Sequence, residues 1–290
     1  AFDSSFNLNH IIADNSEKLK KLQGSKYTQS STGLIFRDIK KKLLNGEKVL
    51  FSGCPCQVAG LKAYLGKNYD NLVTVDLICH GVPSNAVFKD YISSLEKRKK
   101  ISVRNFSFRD KSIGWGKNGS AISENGKKYK LFETSESYFY YFAKSLIMRK
   151  NCYTCKYACG NRTGDITIGD FWGIQKEHPE ILGKNGINES KGVSVIIAST
   201  QKGIDIVEEN KKLFQIYESS FEKASRGNEQ LKRPSKYNPK REEILQLYAE
   251  SGWEAVEARF NKNIGMKKYT GYIKSLIPNG VKRQLKKILK

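Results

Sequence analysis

The residues of this 290-residue sequence that are best suited to chemistry are its six cysteines. Three of them, Cys152, Cys155 and Cys159, share one short polar segment. A Cys-x-x-Cys turn directs both sulfurs to one point, which makes it a common two-ligand unit for a tetrahedral metal or an iron–sulfur cluster. We therefore expect Cys152 and Cys155 to bind a metal or a cluster.

The other three cysteines follow apolar segments. Cys54 and Cys56 flank Pro55, and Cys79 ends the apolar run at 72–79. Taken alone, Cys79 is typical of a small core residue at the end of a buried strand. Four thiolates suit zinc or an iron–sulfur cluster. Structural zinc usually takes two regular Cys-x-x-Cys pairs, and this sequence has one, so the pattern favours a cluster.

The segments around these cysteines must position them. Apolar runs at 48–52 and 72–79 predict buried strands, and residues 57–65 and 84–96 have helical spacing. This alternation predicts a largely parallel sheet. Neighbouring parallel strands end at the same edge, where ligands bind in such sheets. We therefore expect Cys56 and Cys79 to converge at that edge.

The remaining sequence completes the predicted fold. Further predicted elements are a weak strand at 7–13, helices at 16–22, 32–44 and 136–147, strands at 102–108, 120–123, 128–132, 165–169 and 193–199, and short helices at 241–247 and 252–260. The predicted class is α/β: a mixed, largely parallel sheet flanked by helices, with an inserted antiparallel β segment and a small helical C-terminal region. The predicted division is 1–100, 101–230 and 231–290, the first two being α/β and cysteine-bearing parts and the third a basic tail.

Composition excludes several classes of protein. Hydrophobic residues make up 39% of the chain and aromatic residues 11%, which is globular and rules out a wholly disordered chain, a collagen or a coiled coil. No apolar run reaches the roughly 20 residues of a membrane-spanning helix. No secretory leader precedes the clustered cysteines, so a reducing, cytoplasmic location is expected.

The positive charge is large and uneven. The chain has 51 Lys and Arg against 29 Asp and Glu, a formal net charge of +22. At 280–290, apolar residues recur on one helical face among basic ones, which suits a helix lying on an anionic membrane. The alternative is a solvated terminal helix packed on its own domain. Nucleic-acid binding is not favoured, because no recognised fold or aromatic-basic motif accompanies the charge.

Polar residues outside the cysteines also suggest contacts. The loop containing Ser25 and Lys26 precedes a predicted helix, so it could hold a phosphate or be an ordinary surface loop. Asp170 ends a predicted strand, where it could touch a cofactor or cap a helix. His80, beside Cys79, is the one histidine whose position suggests a function.

Four blocks of sequence together resemble the coenzyme F420 hydrogenase/dehydrogenase beta-subunit family. They occur in the family's order and cover roughly residues 1–230. The blocks are 24–27 (Gly-Ser-Lys-Tyr) with 51–61 (Phe-Ser-Gly-Cys-Pro-Cys-Gln-Val-Ala-Gly-Leu), then 76–84 (Asp-Leu-Ile-Cys-His-Gly-Val-Pro-Ser), the Cys152-x-x-Cys155 pair, and 165–173 (Asp-Ile-Thr-Ile-Gly-Asp-Phe-Trp-Gly).

The resemblance implies an electron-transfer flavoprotein that carries FAD and a 4Fe–4S cluster. By position, the cluster ligands would be Cys56, Cys79, Cys152 and Cys155. Cys54 stands where relatives usually have a small residue without a thiol, and Cys159 lies outside the pair as the first substitute for Cys79. The candidate cofactor contacts are Ser25, Lys26, Gly53, Gln57, His80 and Asp170.

The resemblance also bears on partners. Better-known relatives exchange electrons with a deazaflavin or another organic acceptor, and a redox partner protein such as a ferredoxin is implied. Many relatives carry a ferredoxin-like module and a Ser-Gly-Gly segment before the Ala-Phe-Asp found here at the first residues, so the chain is expected to begin within the family's first domain. The alternative function is a basic zinc- or cluster-containing module that docks on an anionic membrane, at its inner face, or on an acidic partner.

Overall fold

The computed structural model describes residues 1–183 and 186–277. Its strands are β1 (Val49–Gly53), β2 (Leu72–Leu77), β3 (Val103–Ser107), β4 (Asn118–Ser123), β5 (Lys128–Phe132), β6 (Ile166–Asp170) and β7 (Ser194–Ala198). Its α-helices are α1 (Ser16–Leu22), α2 (Ile35–Leu44), α3 (Pro55–Leu65), α4 (Asn85–Lys99), α5 (Ser137–Ala143), α6 (Ile174–Glu177), α7 (Gln201–Asn210), α8 (Phe221–Gly227), α9 (Lys240–Ile264) and α10 (Thr270–Leu276). Short 3-10 helices occupy Lys150–Thr154, Pro179–Ile181, Glu189–Lys191, Lys211–Leu213, Glu229–Leu231 and Gly265–Tyr269.

A four-stranded sheet has the order β1-β2-β6-β7. β1, β2 and β6 are parallel, and β7 pairs antiparallel with β6. Helices α2 and α3 cover one face, where Ile39, Val58 and Leu61 pack with Phe51. This sheet confirms the predicted α/β class with its mixed, largely parallel sheet.

A separate antiparallel sheet has the order β3-β4-β5. It confirms the predicted antiparallel β segment. It packs with α4, α5 and α9 around a cluster of buried aromatic side chains, which we call the aromatic core. Its members are Phe88, Tyr91, Phe106, Phe108, Tyr138, Phe139, Trp253 and Phe260. Their rings meet edge-on or tilted, the arrangements that aromatic pairs prefer.

Several local predictions are confirmed with small shifts of their ends. Ser84 caps α4, accepting a hydrogen bond from the Val87 N–H. The two predicted C-terminal helices form one segment, α9, interrupted at Gly252, where φ is 72°. Such a positive φ favours glycine, which explains the break.

Other local predictions were wrong. The segment 7–13 forms no strand: Leu8 pairs only with Phe2, and Asn9 pairs only with Ser31, as isolated bridges. The helix predicted at 136–147 ends at Ala143, because Ser145 takes a positive φ of 55°. Helices α7 and α8 were not predicted.

Part of the basic C-terminal segment 231–290 lies outside the described residues. None of the helices in the described ranges is long and apolar enough to cross a membrane. The basic amphipathic helix predicted at 280–290 lies outside the described residues.

The four-stranded sheet contains strands from both 1–100 and 101–230, and the domain division stays a prediction.

Candidate functional site

Two parallel strands end beside each other and present three cysteines. β1 ends at Gly53 opposite Asp76 of β2, so the two carboxyl ends are level. Cys54 and Cys56 follow β1, and Cys79 follows β2. The Sγ atoms of Cys54 and Cys79 lie 3.8 Å apart. The register of the sheet therefore brings together thiols that are 25 positions apart in sequence.

The start of α3 fixes Cys54 and Cys56. Pro55 occupies the first turn, where its missing N–H costs nothing, and Cys54 is the N-cap. Gln57 Oε1 accepts the Cys54 N–H at 2.9 Å, as in a capping box. This local geometry holds Cys56 on the first turn of the helix, where its side chain is exposed.

The Cys152-x-x-Cys155 turn lies against the segment that follows Cys79. The Arg149 N–H donates to Val82 O at 2.9 Å. A β-carbon on Gly81 would lie only 3.1 Å from Cys152 Cβ, and Gly81 has a φ of 112°. Both the backbone conformation and the space require glycine there, because a side chain would push the turn away.

The thiols are close enough to change one another's pKa. Partial burial of the thiol and, to a smaller extent, the neighbouring Cys79, Cys155 and Cys152 raise the pKa of Cys56 to about 11. Burial also raises the pKa of Cys152, to which Cys79 and Cys155 again contribute. Thiolates crowded in this way repel one another, so the group favours an occupant of positive charge.

The pKa values of Cys54 and Cys79 shift in opposite directions. Their mutual hydrogen bond raises the pKa of Cys54, as does burial. The same hydrogen bond, the Gly81 N–H and the Arg162 charge lower the pKa of Cys79 against the opposing effect of burial. Cys79 is therefore the thiol of this pair that ionises first. We call the five thiols Cys54, Cys56, Cys79, Cys152 and Cys155 the cysteine centre.

A buried ion pair ties the cysteine-bearing loop to the end of β2. The side chains of Arg162 and Asp76 are 1% and 0% exposed and meet at 2.9 Å. The Arg162 guanidinium also donates to Leu77 O at 3.0 Å, to Tyr157 O at 3.2 Å and to Cys159 O at 3.1 Å. One side chain thus joins the strand that leads to Cys79 and the loop that follows Cys155.

Asp76 completes this network from the strand side. Its carboxylate accepts the backbone N–H groups of Thr163 and Gly164 and the hydroxyls of Thr163 and Thr167. A β-carbon on Gly164 would lie 2.8 Å from the Asp76 backbone nitrogen, so the loop can approach only with glycine. Sequence reasoning assigned no role to Arg162 or Asp76. The available signal was an acid inside an apolar strand, which needs a buried partner.

Cys159 lies in the same loop with a different environment. Its thiol donates to Asn161 O at 3.3 Å.

Within residues 1–183 and 186–277, no three His, Cys, Asp or Glu side chains are grouped so as to hold one metal ion.

A cavity of about 620 Å³ opens beside Cys56 and Gln57. The residues lining it are all uncharged, and most carry amide or hydroxyl groups: Asn7, Asn9, Gln29, Ser30, Ser31, Thr32 and Asn85 are among them. Gln57 Nε2 donates to Ser30 Oγ at 3.0 Å. At Gly53 a β-carbon would lie 3.2 Å from Gln57 Oε1, so glycine leaves room for this glutamine.

Ser25 and Lys26 lie in the loop that follows α1, and their contact with a cofactor stays a prediction. Lys26 Nζ donates to Leu22 O, Gln23 O and Gly24 O at 2.9–3.2 Å. Its three protons are therefore used within its own loop. Ser25 is exposed, and neither residue lines the cavity beside Cys56.

His80 is held by neutral partners. Its Nε2 lies 3.0 Å from Ser145 Oγ, and its carbonyl accepts the Ser235 hydroxyl. Burial, and then the charge of Lys117, lowers the pKa of His80 to about 4. The imidazole is therefore neutral at pH 7.

Asp170, at the end of β6, forms an ion pair with Arg109. Arg109 binds its carboxylate through both terminal nitrogens at 2.7 and 3.2 Å, and Trp115 Nε1 donates to it at 3.0 Å. Trp115 stacks on Trp172 with the rings 5.1 Å apart. Helix α6 begins after Gly173 without a side-chain cap, so Asp170 does not cap it.

Comparison with known proteins identifies one family. Residues 46–223 match the family model for the C-terminal part of the coenzyme F420 hydrogenase/dehydrogenase beta subunit. A chain of the xenon-derivatised F420-reducing [NiFe] hydrogenase complex from Methanosarcina barkeri is 16% identical, with 89% of this chain and 76% of that chain covered at a TM-score of 0.42. A search of curated protein sequences gave no match. The family match spans more than half of the sequence, and the chain belongs to the coenzyme F420 hydrogenase/dehydrogenase beta-subunit family.

Proposed function

We propose that this chain is an oxidoreductase domain that holds a 4Fe–4S cluster on Cys56, Cys79, Cys152 and Cys155 and exchanges electrons with FAD. The observation that carries the proposal is the approach of thiols from three separate segments: the start of α3, the end of β2 and the turn after Arg149. Membership of the family supports an oxidoreductase with iron–sulfur binding.

The donor set fits such a group. Soft thiolates are the usual ligands of iron–sulfur clusters, and four of them meet the requirement of a 4Fe–4S cluster. Cys54 and Cys79 are in contact, so they cannot point to two different corners of one cluster. We therefore assign only one of them, Cys79, as a ligand. When bound, the cluster would supply one-electron transfer, and the flavin would couple it to two-electron chemistry.

The protein's own part is to keep these four sulfurs in place. Arg162 and Asp76 hold the cysteine loop against β2 without exposing either charge. Gly81 allows the turn bearing Cys152 to approach. Side chains fixed by packing and by buried hydrogen bonds need little rearrangement when the group they bind gains or loses charge.

The cavity beside Cys56 supports the flavin part of the proposal. It offers about 620 Å³ next to a proposed cluster ligand, with amide and hydroxyl groups that can hydrogen-bond a planar heterocycle. Gln57 lines it from the first turn of α3, and Gly53, at the end of β1, leaves room for that glutamine. We propose that the flavin binds there. Lys26 donates to carbonyls of its own loop, and its contact with the cofactor stays a prediction.

Exposed cations beside the cysteine centre support a protein redox partner. Arg149, Lys150 and Lys156 flank Cys152 and Cys155, and all three are exposed. Such a rim would steer an acidic electron carrier, for example a ferredoxin, toward the cluster. We propose that this occurs in the reducing cytoplasm. Docking on the inner face of a membrane would depend on residues 280–290.

A second candidate, a zinc-containing binding module, has one observation in its favour. Two thiolates on the same zinc lie about 3.8 Å apart, given Zn–S bonds of about 2.3 Å and tetrahedral angles. Cys54 and Cys79 have that separation. In this alternative the basic surface, not electron transfer, would carry the function.

Cysteine variants reconstituted anaerobically with iron and sulfide test the proposal. Cys56→Ser, Cys79→Ser, Cys152→Ser and Cys155→Ser should each lose most of the broad visible absorbance of a cluster. Cys159→Ser, a matched change in the same loop, should keep it. Equal absorbance in Cys152→Ser and Cys159→Ser would overturn the ligand assignment. Flavin is tested separately: quenching of FAD fluorescence should saturate with the parent protein and weaken in Asn9→Ala.

A further inference from the structure

Cys54 is the one thiol of the cysteine centre that the proposed ligand set leaves over. Its Sγ lies 3.8 Å from Cys79 Sγ. Both residues are half-buried. The pair stands at the level ends of two hydrogen-bonded strands, with Gly53 opposite Asp76, so the backbone holds the two thiols together.

We propose that Cys54 and Cys79 form a reversible disulfide when the centre holds no cluster. The bond would remove Cys79 from the set of ligands and prevent cluster assembly until it is reduced. This consequence rests on the proposed function, whereas formation of the bond does not.

The geometry requires only a local change. A disulfide needs its sulfurs about 2.05 Å apart, so the pair must close by less than 2 Å. Cys79 lies between the end of β2 and the start of α4, in a segment without regular secondary structure. Rotation about χ1 and a small shift of this segment would bring the sulfurs into bonding range without disturbing the sheet.

The chemistry balances with a low-molecular-weight disulfide as the oxidant. The thiolate of Cys79 attacks one sulfur of glutathione disulfide, forming a mixed disulfide and releasing one glutathione thiolate. Cys54, deprotonated, then attacks the Cys79 sulfur, and the second glutathione leaves. The two protein thiols lose two electrons and two protons, which the two glutathione thiols gain, and one S–S bond replaces another.

The pairing is specific to these two residues. Cys159 shares the loop of Cys155, yet its thiol hydrogen-bonds to Asn161 O. Cys56 projects from the first turn of α3 beside the cavity, and its side chain is exposed. A non-specific oxidation would modify exposed Cys56 first, whereas the proposed reaction links Cys54 to Cys79.

The test is peptide mapping of the full chain, purified without iron, after treatment with glutathione disulfide and alkylation of the remaining thiols. A cross-linked peptide pair containing Cys54 and Cys79 should predominate. It should be absent in Cys54→Ser and retained in Cys159→Ser. Serine preserves the size of Cys54, and circular dichroism of the variant confirms that it is folded. A predominant pairing of other cysteines, or no link at Cys79, would overturn the proposal.

A second measurement separates this proposal from the proposed function. Iron uptake by the oxidised protein should be lost and should return after treatment with dithiothreitol. If the link forms but the reduced protein takes up no iron, the disulfide stands and the cluster assignment fails. If oxidised and reduced proteins take up iron equally, the disulfide does not control the centre, and that part of this inference fails.

Discussion

The aromatic core and the cysteine centre are held together by different interactions. In the core, rings from α4, α5, α9 and the β3-β4-β5 sheet fill space, and Phe88, Tyr91 and Tyr138 are fully buried. At the cysteine centre, irregular loops are fixed by directional bonds from two buried charges, Arg162 and Asp76. Burial of area stabilises the scaffold, whereas hydrogen bonds fix positions in the site. The two regions should therefore respond differently to substitution.

Truncation in the aromatic core should have the largest effect. Phe88 contacts Phe2, Phe106, Phe108 and Tyr138. Phe88→Ala should lower the free energy of unfolding by about 3–5 kcal/mol, because it leaves a cavity as well as losing buried area. Urea unfolding measures this.

The control for Phe88→Ala is an apolar residue on the surface. Leu50 is 65% exposed, so Leu50→Ala should change the free energy of unfolding by less than about 0.5 kcal/mol. A similar loss from both variants would contradict the distinction between core and surface.

Removing one charge from the buried Arg162–Asp76 pair should lower the free energy of unfolding slightly less than Phe88→Ala does. It should also loosen the cysteine-bearing loop. Arg162→Met leaves Asp76 buried without its cation and should cost about 3 kcal/mol. Without the Arg162 bonds to Tyr157 O and Cys159 O, the loop should loosen, and Cys155 should react faster with iodoacetamide.

Two controls sharpen the Arg162 experiment. Arg233 pairs with Glu229, and the two side chains are 70% and 56% exposed, so Arg233→Met should cost less than about 1 kcal/mol. Adding Asp76→Leu to Arg162→Met should recover part of the loss, because no unpaired charge remains. No change in Cys155 reactivity would show that the ion pair does not hold the loop.

A methyl group at Gly81 should disturb the cysteine centre. Gly81→Ala combines a φ of 112° with a contact of 3.1 Å to Cys152 Cβ, and should cost about 2 kcal/mol. Gly126 also has a positive φ, of 81°, but open space around it, so Gly126→Ala should cost about 1 kcal/mol. Thermal unfolding compares the two, and equal losses would mean that the contact with Cys152 does not matter.

The smallest effect should be a pH dependence inside the scaffold. Burial, and the nearby Glu136 charge, raise the pKa of Glu257 above its usual value, against the lowering effect of Arg98. A raised pKa means that its stabilising contribution is present below the unfolded value of about 4.5 and is lost as pH rises through the folded value.

Glu257→Gln tests whether ionisation of Glu257 lowers the free energy of unfolding as pH rises. The variant cannot ionise, so its free energy of unfolding relative to the parent should increase between pH 4 and pH 7. A relative free energy that falls over this range would contradict the direction of the pKa shift.

Local patterns predicted the elements that place the cysteines. The apolar run at 72–79 predicted β2, and the strand–helix alternation predicted parallel strands whose ends meet. Helical spacing at 241–247 and 252–260 predicted the two parts of α9. These features depend on nearby residues, whose spacing and backbone preferences are visible in the sequence.

Long-range polar contacts could not be predicted in the same way. Arg162 forms an ion pair with Asp76, 86 positions away in sequence. Arg109 forms one with Asp170, 61 positions away. Each residue alone looks like an ordinary surface charge or a cap. Lys26 is a further example: its loop suggested a phosphate site, and the sequence did not show that the backbone carbonyls of Leu22, Gln23 and Gly24 accept its protons. Only tertiary structure decides such cases.

The central claim is that the cysteine centre binds an iron–sulfur cluster. The most direct test offers the reduced apoprotein iron, sulfide and zinc together under anaerobic conditions and then measures the metal and acid-labile sulfide bound per chain. We expect about four irons and about four sulfides, as in a 4Fe–4S cluster. One zinc per chain with no sulfide would contradict the claim.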